Sequence, residues 1–245
     1  MKKTNCKTCQ NTECFIKLYC TADWVEKIEM SKFQTFFKKN QNIINEGFPV
    51  LGIYFIQEGK VKVISTGFNG RQQIVRFAFD GHILGHRGLG NDIYPISAVA
   101  MEDSLICFVR NDTLNDLFRT NPKFTTELMM FYSRELRKME DRMKNMAHMS
   151  IREKSADALL SLSENFSLSK SNEINVPLTR LDIANTAGTT VEQVSRQLTD
   201  FEEEGLIEKR GKKIAILDIE GLRKITAKHK PSVKDSTLSR NSGLF

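Results

Sequence analysis

Residues 179–204 restrict this chain more than any other stretch, because they encode two short helices hinged at a glycine. Thr179-Arg180-Leu181-Asp182 is a capping box, which opens a helix containing Ile183, Ala184 and Ala187. Gly188 ends that helix and supplies the turn. Thr189 or Thr190 caps a second helix over residues 191–204, with Val194, Leu198 and Phe201 on its buried face. Glu192, Ser195, Arg196 and Thr199 fall on the opposite face at i, i+3, i+4 and i+7. Two helices joined through a glycine turn predict a helix-turn-helix. Behind them, Gly205-Leu206-Ile207, Lys209-Arg210-Gly211-Lys212-Lys213 and Ile214-Ala215-Ile216 read as strand, basic turn and strand, which makes a wing. The competing reading is a plain helical hairpin with solvated charges.

Side-chain chemistry assigns roles on that element. Arg196 can donate two hydrogen bonds to guanine, Glu192 can accept from cytosine, and Ser195 can serve a base or a phosphate. Thr179, Arg180, Thr190, Lys209, Arg210, Lys212 and Lys213 are candidates for the DNA backbone, which adds affinity but little sequence information. The charge distribution agrees. The net charge is +6, and residues 208–245 hold ten Lys/Arg against four Asp/Glu, so they carry the whole excess. The last part of that stretch, residues 229–245, reads as a disordered basic tail.

Upstream the pattern is β. Over residues 36–109, Gly47, Gly52, Glu58-Gly59, Asn69-Gly70 and Asp80-Gly81 punctuate the chain at roughly ten-residue spacing. The runs between them are β-branched and partly alternating, which predicts an antiparallel barrel or jelly roll. A long helix follows, with Asn121 as its cap and Pro122 in its first turn. Met129, Tyr132, Leu136, Met139, Met143 and Met146 recur along it at steps of three and four. Such a stripe either packs on the barrel of its own chain or forms a dimer seam. Charged residues on the other faces favour the seam. The fold class is α+β.

Four of the five cysteines, Cys6, Cys9, Cys14 and Cys20, crowd into the first twenty residues, and Cys107 stands alone in an apolar run. Close Cys spacing near a terminus, with a distant Cys able to fold back beside it, suits a soft-metal or iron–sulfur site. Zinc, a thiol–disulfide switch and no cofactor at all stay open as alternatives. The basic N-terminus has no apolar h-region behind it, and no apolar run approaches ~18 residues. A cytoplasmic protein without membrane contact is expected.

The run Leu178-Thr179-Arg180-Leu181-Asp182-Ile183-Ala184, then Thr190-Val191-Glu192-Gln193-Val194-Ser195-Arg196-Gln197-Leu198, then Phe201-Glu202-Glu203-Glu204-Gly205-Leu206-Ile207 resembles the CRP/FNR superfamily of bacterial regulators. The resemblance covers nearly the whole chain. It implies a Cys-rich segment (1–30), a cyclic-nucleotide-binding-like β-roll (31–120), a dimerisation helix (121–149) and a winged helix-turn-helix (150–228). Glu192, Ser195 and Arg196 match the reading triplet of the FNR branch. That match implies a homodimer on a palindromic, TTGAT-like operator in double-stranded DNA, with RNA polymerase as partner. The FNR branch holds a [4Fe–4S] cluster through three N-terminal Cys and one on a β-roll strand. Cys6, Cys9, Cys14 and Cys107 resemble those ligands. The second gap is one residue shorter than usual, and Cys20 is an alternative for Cys14.

Other chemistries fit less well. In the stretch resembling a cyclic-nucleotide phosphate cassette, His86 stands where a Glu is expected, and Ile96 replaces the Arg beside Ser97. A buried phosphate would then have no charge partner there, so cyclic AMP is not expected. His82 and His86 offer a haem alternative. No nucleophile elbow, P-loop, dinucleotide fingerprint or HExxH motif is present, so an enzyme is not expected. A thiol oxidoreductase built on Cys6-Lys7-Thr8-Cys9 is the remaining enzymatic reading.

Overall fold

A computed structural model describes residues 5–211 and 213–229. Residues 1–4, Lys212 and residues 230–245, which hold all of the expected basic tail except its first residue, lie outside the described residues. Two compact units divide the chain, Met1–Arg137 and Lys138–Phe245. Among the described residues no helix is long and apolar enough to cross a membrane.

The first unit is the expected β-roll. Strands β1 (Phe33–Phe37), β8 (Ser104–Arg110), β3 (Gly52–Glu58) and β6 (Ile83–Leu84) form one four-stranded antiparallel sheet in that order. Strands β2 (Asn42–Ile44), β7 (Ser97–Ala100), β4 (Val61–Thr66) and β5 (Gln72–Ala78) form the other. Ile56, Val61, Val63, Ala98 and Ile106 bury one apolar cluster within the roll. Alternation along each strand supplies these inward side chains.

The Cys-rich segment is structured from Asn5 onward. It folds into helices α1 (Phe15–Tyr19) and α2 (Ala22–Ser31). Phe15, Ile16, Trp24 and Ile28 enter a second apolar cluster with Ile53 and Phe55 of β3. Leu114 and Leu117 join it from α3 (Asn111–Thr120), a helix that the β pattern gave no reason to expect. Helices α1 and α2 and the β-roll therefore share one core.

Helix α4 (Pro122–His148) has 27 residues and spans about 40 Å. The Asn121 side chain accepts from the Phe124 amide at 3.2 Å, as expected for its cap. Phe124 and Leu128 face the unit's core, whereas Met129, Leu136, Met139 and Met143 are exposed. Met146 is partly buried. Tyr132 belongs to the same predicted stripe. It packs against the core of its own unit, touches the His86 ring and donates its hydroxyl to the His86 carbonyl. Its polar tip finds a partner inside the chain, which fixes its direction.

The second unit holds α5 (Ile151–Phe166), α6 (Arg180–Ala187), α7 (Val191–Glu203), the hairpin β9 (Ile207–Arg210)–β10 (Lys213–Ile216) and α8 (Ile219–Thr226). Leu159, Ile183, Val194, Leu198, Phe201 and Leu222 are fully buried there. The wing differs in one detail from the sequence reading. Lys209, Arg210 and Lys213 sit within its strands, with Arg210 opposite Lys213 at the turn end of the ladder.

Candidate functional site

Helices α6 and α7 are held in place by their own ends. The Thr179 hydroxyl accepts from the Asp182 amide at 3.0 Å, and the Asp182 carboxylate accepts from the Thr179 amide at 3.0 Å. Gly188 closes α6 at φ +65°, the left-handed conformation that a side chain would oppose. Thr190 repeats the box with Gln193 at the start of α7. Arg142 donates to the Thr186 carbonyl at 2.7 Å and so satisfies a last-turn acceptor of α6. Behind α7, the Arg152 guanidinium forks onto Glu204 at 2.8 and 2.6 Å and lies over the Phe201 ring.

This framing turns one face of α7 outward. Glu192, Arg196 and Thr199 are exposed and Ser195 is half-buried. Hydrogen bonds from its own amide and from Thr190, and the nearby Arg196 charge, hold the Glu192 carboxyl below its ordinary pKa. Glu192 is therefore an ionised acceptor beside a cationic donor. Val194, Leu198 and Phe201 are fully buried on the inner face, as the periodicity required.

The backbone-contact candidates are not all at liberty. Lys209 pairs with Glu202 at 2.7 Å, Lys213 with Glu173 at 2.8 Å, and Arg210 with Glu208 at 2.6 Å and Glu173 at 3.4 Å. The hydroxyls of Thr179 and Thr190 serve the helix caps. Arg180 is half-buried on the first turn of α6, and its charge acts on Glu202.

In the first unit, the N-terminal loop is tied to the β-roll by polar side chains. Asn11 donates to the carbonyls of Ile56 and Gln57 at 3.0 and 2.9 Å. Lys17 donates to those of Cys9 and Asn11 at 3.0 and 3.1 Å. Gly81 permits the approach, since a Cβ there would lie 2.5 Å from the Glu13 carbonyl oxygen.

The loop carries Cys6, Cys9 and Cys14, and Cys107 lies on β8 of the sheet to which it is tied. Cys107 on β8 stands opposite Gln34 on β1 and Phe55 on β3. Burial pushes the Cys107 thiol up to about 11, against the pull of Lys32, and Cys14, Cys6 and Cys9 push it the same way. Burial also raises Cys14, which interacts with Cys9 and Cys6. Cys20 stands apart. Burial pushes it up to about 12, and Cys14 is the one thiol acting on it. Cys6 is buried and accepts from the Lys32 ammonium at 3.1 Å, while its amide donates to Glu29 at 2.9 Å.

All five cysteines are free thiols. Among the described residues no three His, Cys, Asp or Glu side chains form a group that could hold a metal ion as they stand. The donor chemistry of these residues still suits an iron–sulfur or zinc centre, because thiolates serve both. Ligation requires these side chains to close in, as is usual when metal binding and folding are coupled.

The two histidines are engaged elsewhere. His86 is buried, touches the rings of Phe131 and Tyr132, and is held well below its ordinary pKa by burial and by Arg76 and Arg87. The His82 ring lies against Phe79, tilted by 38°. Ile96 is buried, and the Ser97 hydroxyl accepts from the Glu46 amide.

Residues 34–121 match the family described as the cyclic nucleotide-binding domain, and residues 153–225 match the Crp-like helix-turn-helix domain. The transcriptional activator protein FnrA of Stutzerimonas stutzeri is 30% identical over 187 residues, which span 76% of this chain and 77% of that protein. Regulatory protein HlyX of Actinobacillus pleuropneumoniae is 30% identical over 223 residues, 87% of this chain and 92% of that protein. FixK2 from Bradyrhizobium japonicum superposes with a TM-score of 0.69 at 24% identity, covering 79% of this chain and 96% of that one. The regulator CLP of Xanthomonas campestris gives 0.72 at 18% identity, covering 80% and 99%. These two likenesses show the shared fold. The β-roll, the capped helix pair and the relatives converge on one conclusion: this chain belongs to the CRP/FNR superfamily and is a DNA-binding transcription regulator.

Proposed function

We propose that this regulator acts as a homodimer whose operator binding is controlled by an oxygen- or NO-sensitive [4Fe–4S] cluster held by Cys6, Cys9, Cys14 and Cys107. One observation supports this reading: Asn11 of the N-terminal loop donates to the Gln57 carbonyl at 2.9 Å, and the Cys107 sulfur lies 3.7 Å from the Gln57 side-chain oxygen. When bound, such a cluster supplies reactivity toward oxygen and nitric oxide.

The chain's own residues provide the rest. Cys107 is fixed on a central strand, and Asn11 and Lys17 hold the N-terminal loop beside it. Helices α1 and α2 share their core with Phe124 and Leu128 of α4. The state of the loop therefore bears on how that helix is supported. Met129, Leu136, Met139 and Met143 form the exposed stripe on which a second copy docks. On α7, Arg196 donates to guanine, Glu192 accepts from cytosine and Ser195 assists, which suits a TTGAT-like half-site repeated by the dimer's two-fold. Thr179, Arg180, Thr190, Lys209, Arg210, Lys212 and Lys213 meet the DNA backbone. RNA polymerase is the partner that a regulator of this type engages.

Control by zinc or by thiol oxidation is the second reading. It draws on the five free thiols. Operator binding before and after air, in the natural chain and with all five Cys changed to Ser, tests thiol-based control. Loss of binding on air exposure in the natural chain alone is expected. Identical behaviour of the two proteins would refute it.

A further inference from the structure

The division between the two compact units falls inside α4, between Arg137 and Lys138. The last turns of that helix therefore belong with the helix-turn-helix, and they carry Met139 and Met143 of the exposed stripe. Within this unit the joint to α5 ties down the end of α4. Met149 and Ser150 alone separate the two helices, Met149 is buried, and Ser150 opens α5 with a capping box closed by Glu153. Arg142 makes a second tie. It stands seven residues before Met149, two turns and about 10 Å back along the axis. Its guanidinium donates to the Thr186 carbonyl at 2.7 Å.

A helix held at its end alone can swing about that joint. A second tie on the same face, two turns away, opposes the swing. Arg142 suits that task. It is half-buried, and burial pulls it below its ordinary pKa while the charge of Asp157 on α5 acts the other way. A guanidinium stays protonated all the same, so its bond to Thr186 is charge-assisted. The acceptor is also well anchored. Thr186 is buried in the last turn of α6, two residues before Gly188. Its hydroxyl donates to the Asp182 carbonyl at 2.7 Å, and Asp182 forms the capping box with Thr179. Helices α6 and α7 pack on each other, with Ile183, Ala187, Val194 and Leu198 buried. The bond from Arg142 thus reaches the body that carries Glu192, Ser195 and Arg196.

We propose that Arg142 is the positioning residue that locks the DNA-reading helices to the end of the dimerisation helix and so sets which half-site spacing the dimer accepts. This rests on the homodimer reading above. In a dimer joined along Met139 and Met143, that angle fixes the separation of the two copies of α7. One base pair more or less between half-sites rotates one of them by about 35° and shifts it by about 3.4 Å. A firmly tied dimer discriminates against such a change, and a loose one does not.

The test uses the full chain purified without oxygen. The palindrome that the natural chain enriches from random duplex is rebuilt with its centre lengthened or shortened by one and two base pairs. R142M removes the donor, R142Q keeps a shorter neutral one, and R142K keeps a cation. Far-UV circular dichroism and sedimentation confirm that each variant is folded and dimeric, and R142Q decides where R142M is not. Fluorescence anisotropy reads affinity across the spacing series. The natural chain is expected to prefer one spacing. Losing one charge-assisted hydrogen bond changes an equilibrium by roughly tenfold. R142M and R142Q are expected to flatten the preference by that factor, while R142K keeps most of it and binding to an isolated half-site stays the same in all. A residue that merely supports the fold would lower affinity at every spacing alike. That result, or an undiminished preference in folded, dimeric R142M or R142Q, or a natural chain indifferent to spacing, overturns the role of Arg142 and leaves the homodimer reading intact. A natural chain that sediments as a monomer or enriches no palindrome overturns both.

Discussion

The Lys209 ammonium lies 2.7 Å from the Glu202 carboxylate and so ties the first wing strand to the last turns of α7. The same carboxylate accepts from the Lys209 amide at 2.9 Å. A phosphate must therefore compete with an internal anion for this amine. Lys209→Ala should weaken binding evenly across DNA sequences and reduce the slope of log affinity against log salt by about 1. Glu202→Gln should do the reverse and raise affinity for non-specific duplex. Fluorescence anisotropy over a salt series reads both slopes. An unchanged slope in Lys209→Ala would remove this residue from the interface.

Arg196 is exposed on the outer face of α7, on the opposite side from the fully buried Val194, Leu198 and Phe201. Arg196→Ala should leave the melting temperature unchanged and cost about 1–3 kcal/mol of operator affinity, with discrimination lost at one base pair. Competition binding against single-base variants of the operator checks this. A uniform loss at all positions would make Arg196 a backbone contact instead.

Much of this half of the molecule was legible because its signals are local. The capping boxes at Thr179 and Thr190, Gly188 and the spacing of Val194, Leu198 and Phe201 act within one or two turns. Helices α1, α2 and α3 escaped notice because their N-caps make no side-chain cap bond, and their few apolar anchors are recruited by strands far along the chain. Tyr132 matched the seam period, yet its hydroxyl is claimed by the His86 carbonyl. Lys32 is buried and donates to Cys6, a contact that no periodicity reports.

Burial raises the Cys107 thiol from the ordinary 9.0 to about 11. The folded, metal-free chain thus holds this proton more tightly than the unfolded chain does. The stability it contributes is complete below pH 9 and is lost as pH rises toward 11. Alkylation of Cys107 should accordingly stay slow at neutral pH and accelerate over that window. Mass spectrometry after timed iodoacetamide treatment reads the rate at each pH. Rapid modification near pH 7 would show that the thiol is not buried as described.

The exposed stripe on α4 has Leu136 near its middle, at 60% exposure. A carboxylate there faces water in a monomer but is buried against its counterpart in a dimer. Leu136→Glu should shift the protein to monomers and abolish binding to a two-half-site operator. Analytical ultracentrifugation gives the mass directly. A Leu136→Glu dimer would place the interface elsewhere.

The most direct test of cluster control is elemental and visible-spectrum analysis of protein purified without oxygen, before and after air. About four irons and four sulfides per chain, with a broad band at about 400 nm that bleaches as operator binding falls, is the expected result. Colourless, iron-free protein that binds the same operator equally well in both states would contradict the account.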